Sequence, residues 1–171
     1  MDSDRVKYAD DRHTRANQDE YLTFSLGTEE YGVDILRVSE LRGWGAVTRI
    51  PNAPEYVKGV LNLRGNIVPV FDLRQRLGIP FRAYEKETVV IILRVVASMT
   101  EKNIGVVVDA VSDVLCATAA EIQPSPDFGA RLKTDLINGM ISANDKMVML
   151  LDVDKLKNFS AIDSGMEGNA A

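Results

Sequence analysis

Short apolar segments separated by glycine, proline and acidic residues recur along the chain, a spacing that leaves little room for long helices. Residues 21–27 alternate imperfectly between apolar and polar positions. Residues 31–35 follow after a brief polar break, and the two segments together predict a β-hairpin. Residues 60–63 and 67–71 flank the range 64–66 and predict a second hairpin with a glycine in its turn. The pattern favours an all-β protein.

The second half of the chain continues this pattern. Residues 89–93 form an unbroken apolar run, which is typical of a strand buried on both faces. Further strands are predicted at residues 104–109, 111–115, 139–142 and 147–151. Residues 97–103, between two of these strands, are polar and predict a long turn.

Helices are predicted only as short connections. Ile35, Leu36, Val38 and Leu41 fit one face of a helix that Gly43 stops, and two more helices are expected at residues 73–77 and 152–158. Asp72 is placed to cap the first of these. Pro69 has no amide donor, so its strand should lie at an edge or a bulge there.

The two halves also resemble each other residue by residue. Residues 32–41 (GVDILRVSEL) align with 105–114 (GVVVDAVSDV), and residues 59–72 align with 139–152, both of which open on glycine and close on aspartate. We interpret these similarities as a duplication that produces two β lobes, with a boundary near residues 80–88. Small lobes with short strands remove their exposed edges by closing into barrels.

The ends of the chain differ from its middle. Residues 1–19 are polar and lack periodicity, which predicts a disordered tail, and residues 159–171 predict a flexible tail. The folded part is therefore expected at residues 20–158, in a chain of 171 residues. The N-terminus lacks the apolar core of a signal peptide, and the apolar run at 89–93 is too short to span a membrane. We expect a soluble, cytoplasmic protein.

Composition restricts the chemistry. The chain has one histidine, His13, and one cysteine, Cys116, too few for the usual zinc ligands. A nucleophile–histidine pair would have to use His13, which lies in the predicted N-terminal tail, so we do not expect nucleophilic catalysis. Cys116 lies among apolar neighbours and is expected to be buried and unreactive. A net charge of −5 argues against nucleic acid as a partner. We expect no enzymatic activity, no metal site and no cofactor.

One long stretch is more distinctive than any of these patterns. Residues 48–74 contain two prolines followed by Gly-Val-x-Asn-Leu-Arg-Gly-x-Ile-Val-Pro, a string that strongly resembles the signature of the CheW family of chemotaxis coupling proteins. The resemblance continues through TFSLGTEEYGVDILRVSELRG at 23–43, IGVVVDAVSDVL at 104–115 and MVMLLDVDKL at 147–156. It covers about residues 20–158, which is nearly all of the predicted folded part.

The resemblance implies two small five-stranded, SH3-like β-barrels with a few short helices. It also implies a non-catalytic adaptor that joins the cytoplasmic tips of methyl-accepting chemoreceptors to the regulatory domain of the histidine kinase CheA. Such a protein works in the cytoplasm, is recruited to membrane-associated receptor arrays, and also contacts other copies of itself in rings.

The family's contact positions fall on six residues. The receptor-binding positions match Val38, Glu40 and Arg64, and the positions that bind kinase or another adaptor match Val47, Lys58 and Phe128. Arg64 occupies a hairpin turn, where its guanidinium is either a partner-binding group or simply solvated. Val38 also fits the apolar stripe of its predicted helix, so it is equally a core candidate.

Three other functions stay open. An enzyme could be built on a small barrel, although the chain lacks the usual catalytic constellations. The chain could be a regulatory fragment of a larger signalling protein, related to the CheA regulatory domain. It could also be the adaptor of a sister chemosensory pathway that controls surface motility or development, which only the identity of its kinase would reveal.

Overall fold

The computed structural model describes residues 18–125 and 136–158, without the side chains of the last two residues. Most of both predicted tails, and Phe128, lie outside the described residues. Strand β1 begins at Gln18, slightly before the predicted boundary at residue 20.

Ten strands and a few short helical turns make up the described chain. The strands are β1 (Gln18–Leu26), β2 (Glu29–Asp34), β3 (Val38–Gly43), β4 (Val57–Leu63), β5 (Asn66–Asp72), β6 (Val89–Ala97), β7 (Thr100–Val108), β8 (Ala110–Thr118), β9 (Ile137–Ala143) and β10 (Lys146–Leu151). The helical elements are α1 (Leu73–Arg76) and 3₁₀ turns at Ile35–Arg37, Ala119–Glu121 and Val153–Asn158.

The strands form two five-stranded sheets, which confirms the predicted all-β class with two five-stranded units. Lobe A has the strand order β8-β1-β2-β10-β9, and lobe B has the order β3-β6-β7-β5-β4. In each lobe a parallel pair joins the two parts of the sheet, β2 with β10 in lobe A and β5 with β7 in lobe B.

The lobes are not consecutive halves of the chain, so the predicted boundary near residues 80–88 is wrong. The chain crosses from lobe A to lobe B after β2 and returns after β7. As a result the hairpin β1–β2 pairs with β8 and β10 from the second half, and the hairpin β6–β7 pairs with β3 and β5 from the first half. Each half contributes a hairpin to the other half's lobe.

The predicted duplication is confirmed by topology. Each strand of lobe B has a counterpart in lobe A that lies five strands earlier or later in the chain. When every strand in the order β3-β6-β7-β5-β4 is exchanged for its counterpart, the result is β8-β1-β2-β10-β9, which is the order of lobe A. The aligned sequence segments correspond to equivalent strands, β4–β5 with β9–β10 and the crossover after β2 with the crossover after β7.

The repeated glycines have a steric cause. A Cβ on Gly59 would lie 2.2 Å from the backbone oxygen of Thr48, and a Cβ on Gly139 would lie 2.5 Å from Ile122 Cγ2. At both places an incoming segment crosses the strand, forming the bridges Thr48↔Val60 and Gln123↔Met140. Glycine is the first residue of both aligned segments because any side chain there would collide with the crossing segment.

The largest buried cluster is shared by the two lobes. It includes Phe24 and Val33 from lobe A and Ile91, Leu93 and Val106 from lobe B. A smaller cluster built around Val70 and Ile92 lies within lobe B, and another built around Ile141 and Leu150 lies within lobe A. The main core therefore forms only when both lobes are present.

Two ion pairs fasten the crossovers. Arg37, on the crossover from β2 to β3, donates through both terminal nitrogens to Asp154, at 2.9 and 2.8 Å. Arg74 of α1 lies 2.5 Å from Asp109, on the crossover from β7 to β8, and Asp109 also accepts the Gly27 backbone N–H at 2.7 Å. Arg74 and Asp154 occupy equivalent positions of the repeat. Each crossover is therefore held by an ion pair from this position, which is basic in one lobe and acidic in the other.

The predicted helix over residues 35–41 is wrong. Only Ile35–Arg37 form a 3₁₀ turn, with the Asp34 carboxylate accepting the Leu36 N–H, and β3 begins directly at Val38. The hydrogen-bonding edge of β6 favours a strand here over a helix of that length. Leu36 is consequently 72% exposed and Leu41 45% exposed, because no helix turns them inward.

Two further expectations are corrected. Cys116 is exposed, because it lies on the edge strand β8 and its neighbour Ala117 is the residue that faces the core. The predicted long turn at 97–103 is a tight two-residue turn at Ser98 and Met99, both with positive φ. Its polar residues continue the strands β6 and β7.

The prediction of an edge or a bulge at Pro69 is wrong, because β5 lies between β7 and β4 and Pro69 pairs regularly with Val60. The proline is tolerated because the pairing of β5 with β7 begins only at Val70, so Pro69 needs no amide donor on that side. The predicted cap is present, since the Asp72 side chain accepts the Gln75 N–H at 3.3 Å.

We predict that Gly59→Ala destabilises the fold by at least about 2–3 kcal/mol, because the added methyl meets Thr48 and the φ of +143° is unfavourable for alanine. Gly43→Ala is the matched control, since nothing lies within 4 Å of its added Cβ, and should change stability by less than about 0.5 kcal/mol. Denaturant melts measure both. Equal stability of the two variants would show that no close crossing exists at Gly59.

The buried carboxylate of Asp72 depends on Tyr84. The Tyr84 hydroxyl donates to Asp72 Oδ2 at 2.6 Å, while Asp72 is only 1% exposed. Burial and this hydrogen bond to a carboxylate raise the pKa of Tyr84 well above its ordinary value of 10.0. The neutral phenol therefore stabilises the fold at neutral pH, and this contribution declines as the pH rises above the phenol's ordinary value.

We predict that Tyr84→Phe costs about 1–3 kcal/mol of unfolding free energy at pH 7, because it leaves a buried carboxylate oxygen unpaired. The loss of stability above pH 10 should also be smaller in this variant than in the wild type. Tyr31→Phe is the control, since the Tyr31 hydroxyl has no hydrogen-bond partner in the described part of the chain. Urea melts at pH 7 and above pH 10 test this, and equal effects of the two substitutions would refute the role of Tyr84.

Candidate protein-interaction site

The described residues present exposed surfaces suited to protein contact, and few features suited to catalysis or metal binding. Within residues 18–125 and 136–158, no group of three or more His, Cys, Asp or Glu side chains is placed to hold a metal ion. Burial raises the pKa of Tyr21 and Tyr31, which keeps these phenols neutral. In the same residues, no helix is long and apolar enough to cross a membrane.

Strand direction and register place the predicted receptor residues at different levels of lobe B. Strands β3 and β7 each run antiparallel to β6, and β5 runs parallel to β7, so β3, β5 and β7 share one direction. Asn66 and Thr100, the first residues of β5 and β7, lie at the same end of the sheet, whereas Val38 is level with Ile104, further along β7. The turns β4–β5 and β6–β7 also lie there, and we call this region the hairpin end.

Val38 and Glu40 both lie on β3, an edge strand of lobe B. Val38 is half-buried and packs against the shared core opposite Leu93, so its side chain is partly structural. Glu40 is half-buried opposite Ile92, and its carboxylate has no ion-pair partner among the described residues. A bulge between Val38 and Glu40 breaks the regular pairing of this edge.

Arg64 forms the corner of the β4–β5 hairpin. Its φ of 52° and the φ of 88° at Gly65 make a two-residue turn in which both residues are left-handed. The Asn62 side chain accepts the Gly65 N–H at 2.8 Å and fixes the turn. The Arg64 side chain is exposed, and its guanidinium has no partner within the described chain. Two residues beyond the turn, Ile67 is 74% exposed.

The predicted kinase residue Lys58 lies toward the opposite end of β4. Its Nζ lies 5.0 Å from the centre of the Phe81 ring and donates to the Glu55 carbonyl at 2.9 Å. Lys58 lines an open groove of about 630 Å³ with Ile50, Pro51, Pro54 and Phe81, which we call the proline groove. Ile50 and Phe81 are 44% and 54% exposed, and Arg49 and Glu55 also line the groove, so its wall is mixed, with exposed apolar side chains beside charged ones.

The structure separates the predicted residues. Arg64 lies at the hairpin end and Lys58 in the proline groove, roughly 20 Å apart along an extended strand. Val38 and Glu40 lie on β3 at the other edge of the sheet, and Glu40 is level with Val70 of β5. Val47 is half-buried against the core of lobe B and is mainly structural in the isolated chain. All five belong to lobe B, whereas Phe128 lies outside the described residues.

Sequence reasoning missed several exposed apolar residues. Leu36 was assigned to a buried helix face, and Ile67 and Phe81 were not singled out, although all three are more than half exposed. The alternation along β5 contains the signal for Ile67, because Val68 and Val70 face the core and Ile67 must then face outward. No local pattern marks Phe81, whose exposure depends on where the segment after α1 crosses the lobe.

Charge distinguishes the lobes. Among the described residues, acidic side chains outnumber basic ones in lobe A, whereas basic side chains outnumber acidic ones in lobe B. Both candidate surfaces lie on the more basic lobe. The hairpin end combines exposed Arg64 with exposed Ile67, and the proline groove combines half-buried Lys58 with exposed Ile50 and Phe81. This composition is suited to binding a protein partner that presents an apolar patch edged by carboxylates.

Comparisons with known proteins agree with this architecture. The family model described as "CheW-like domain" matches residues 20–159. The chain is 47% identical over 137 residues to the chemotaxis protein CheW of Klebsiella aerogenes, covering 80% of each protein. It is 28% identical over 142 residues to the Protein FrzA of Myxococcus xanthus, covering 81% of this chain and 85% of that protein.

A solved structure shows the same fold. The crystal structure of the scaffolding protein TtCheW from Thermoanaerobacter tengcongensis superposes with a TM-score of 0.72 at 34% sequence identity, covering 81% of this chain and 91% of that one. The family match extends over the part of the chain that forms the two lobes and both candidate surfaces. The chain therefore belongs to the CheW family of chemotaxis scaffolding proteins.

Proposed function

We propose that this chain is a non-catalytic scaffold that couples chemoreceptors to the histidine kinase CheA. The observation that carries the proposal is the presence of two distinct exposed surfaces, the hairpin end and the proline groove, on one lobe. A coupling protein must hold two partners at once, and surfaces at opposite ends of a strand allow this without competition for space. Membership of the CheW family supports the assignment.

The receptor contact is assigned to the hairpin end. Arg64 supplies a rigid, exposed fork of donors on a turn that the Asn62 side chain fixes. The assignment also includes β3, at the opposite edge of the same sheet, where Glu40 supplies a carboxylate with no ion-pair partner among the described residues and Val38 supplies apolar area. The opposite charges of Glu40 and Arg64 orient a receptor tip more strongly than either would alone.

The kinase contact is assigned to the proline groove. Lys58, Ile50 and Phe81 line it, and an apolar side chain of the CheA regulatory domain would bury their exposed surface. Val47 packs against the core of lobe B, and it is proposed as a further kinase contact on the strength of the family resemblance alone. Phe128 is proposed as a second contact with the kinase or with another adaptor, on the strength of the family resemblance alone.

The proposed mechanism is a shift in the relative populations of two receptor conformations. A scaffold with no differential affinity for two receptor conformations could not transmit a signal between them. We propose that the receptor's signalling conformations present different surfaces to the hairpin end, and that the fixed geometry of the scaffold passes this preference to the bound kinase. The chain then acts in the cytoplasm, at receptor arrays, where further copies form rings with the kinase.

A sister pathway is the second candidate function. The similarity to Protein FrzA of Myxococcus xanthus, a relative that does not carry the CheW name, supports this alternative. The same two surfaces would serve an adaptor in either pathway. The kinase that copurifies with the chain from its native cells distinguishes the two.

We predict that Arg64→Ala weakens binding of a receptor cytoplasmic fragment by about 1–3 kcal/mol and leaves binding of the CheA regulatory domain unchanged. Lys58→Ala should do the reverse. Asn144→Ala is the matched control, because Asn144 has a φ of 50° in the equivalent turn of lobe A. Titration calorimetry of each variant against both partners measures the effects.

Thermal melts of the same samples show whether each variant is folded. If Arg64→Ala and Lys58→Ala lose the same partner to the same extent, the two surfaces are one site and the assignment fails. If folded Arg64→Ala binds the receptor fragment as tightly as Asn144→Ala does, Arg64 is only a turn residue.

A further inference from the structure

The hairpin β6–β7 is longer than its own counterpart within the chain. Its strands are paired from Val89↔Val108 to Ala97↔Thr100, whereas β1–β2 is paired only from Tyr21↔Asp34 to Leu26↔Glu29. Counted from the equivalent glycines Gly105 and Gly32, each strand of β6–β7 has two more residues before its turn. The hairpin therefore projects about 7 Å further than the duplication requires.

The base of this projection is held in place. Val95 is 2% exposed and belongs to the shared core, and the Val96 N–H donates to Asp154 at 3.0 Å. The Arg94 guanidinium donates to the Leu36 carbonyl, which fastens the hairpin to the crossover that precedes β3. The tip is thus supported by both lobes, and it carries exposed side chains.

Those residues are apolar and exposed. Met99 is fully exposed at the turn, Val96 is 38% exposed, and Leu36 is 72% exposed beside Arg94. Arg94 and Val96 project from the same face of β6, because side chains alternate along a strand and Val95 faces the core. Leu36, Val96 and Met99 form a row that begins next to Val38, and we call it the hairpin row.

We propose that the hairpin row extends the receptor-binding surface, so that a receptor tip docked on Val38 and Arg64 also contacts Leu36, Val96 and Met99. This inference rests on the proposed function. The row is continuous with the proposed receptor site, because Val38 pairs with Leu93 directly before Arg94, and the β6–β7 turn lies at the same end as Arg64.

The partner is identified by its chemistry as a chemoreceptor tip with an apolar patch edged by carboxylates. The hairpin row supplies the apolar side, and Arg64 and Lys102, for which no ion pair is present among the described residues, supply cations at the same end of the lobe. The unbranched side chain of Met99 can adapt to tips of different shape. The longer hairpin would therefore help to select which receptors this scaffold binds.

The test compares a hairpin variant with a matched control. Val96→Thr combined with Met99→Asn removes the two apolar groups while suiting the strand and the left-handed turn. Met147→Thr is the control, since Met147 is 42% exposed on lobe A. We expect the double variant to bind a receptor cytoplasmic fragment about tenfold more weakly, to bind the CheA regulatory domain with unchanged affinity, and to melt like the wild type.

Each other outcome overturns the proposal in a recognisable way. If Arg64→Ala weakens receptor binding but the double variant does not, the receptor site ends at β3 and the proposed function stands. If neither does, the receptor site itself is misplaced. If the double variant loses affinity for the kinase domain, or only loses self-association in sedimentation, the hairpin row serves that partner and not the receptor.

Discussion

One apolar core, buried by strands from both halves of the chain, holds the two lobes of this protein together. Phe24 from one exchanged hairpin and Ile91 from the other lie in the same cluster, so neither lobe has its complete core alone. Each hairpin completes the lobe made by the opposite half of the sequence. The ion pairs Arg37–Asp154 and Arg74–Asp109 then hold the two crossovers at equivalent places.

This sharing has a functional consequence. Two barrels joined by a simple linker would move independently, because few contacts would resist a change in their relative orientation. Here each crossover connects strands that contribute to the shared core, so the proposed binding surfaces are carried on one body. A scaffold that passes a conformational preference from one partner to another requires such fixed geometry, since a flexible joint would absorb the difference between receptor states.

Much of the fold could be predicted from local patterns. Period-two alternation located the hairpins, and the repeated glycine–aspartate segments revealed the duplication, because both signals are contained in neighbouring residues. The exchange of hairpins could not be predicted in this way. Whether β1–β2 pairs within its own half or with β8 and β10 depends on contacts between distant residues, and both arrangements satisfy the same local pattern.

The candidate site was predictable to a similar degree. Arg64 was placed correctly in an exposed turn, because its neighbours Asn62 and Gly65 specify that turn locally. Leu36 and Cys116 were wrongly expected to be buried, since apolar neighbours indicate burial only when the strand is covered on both faces. Both residues lie at edges of the two lobes, and only the tertiary arrangement shows which edges stay open. Such open edges are where a scaffold meets its partners.

We propose that this chain holds a receptor and a kinase at the same time through separate surfaces. The decisive experiment is titration of a receptor cytoplasmic fragment into the chain, with and without a saturating amount of the CheA regulatory domain. We expect the receptor fragment to bind in both cases and light scattering to detect a ternary complex with the summed mass of all three components. If the receptor fragment displaces the kinase domain instead, the two partners share one surface and binding through separate surfaces is refuted.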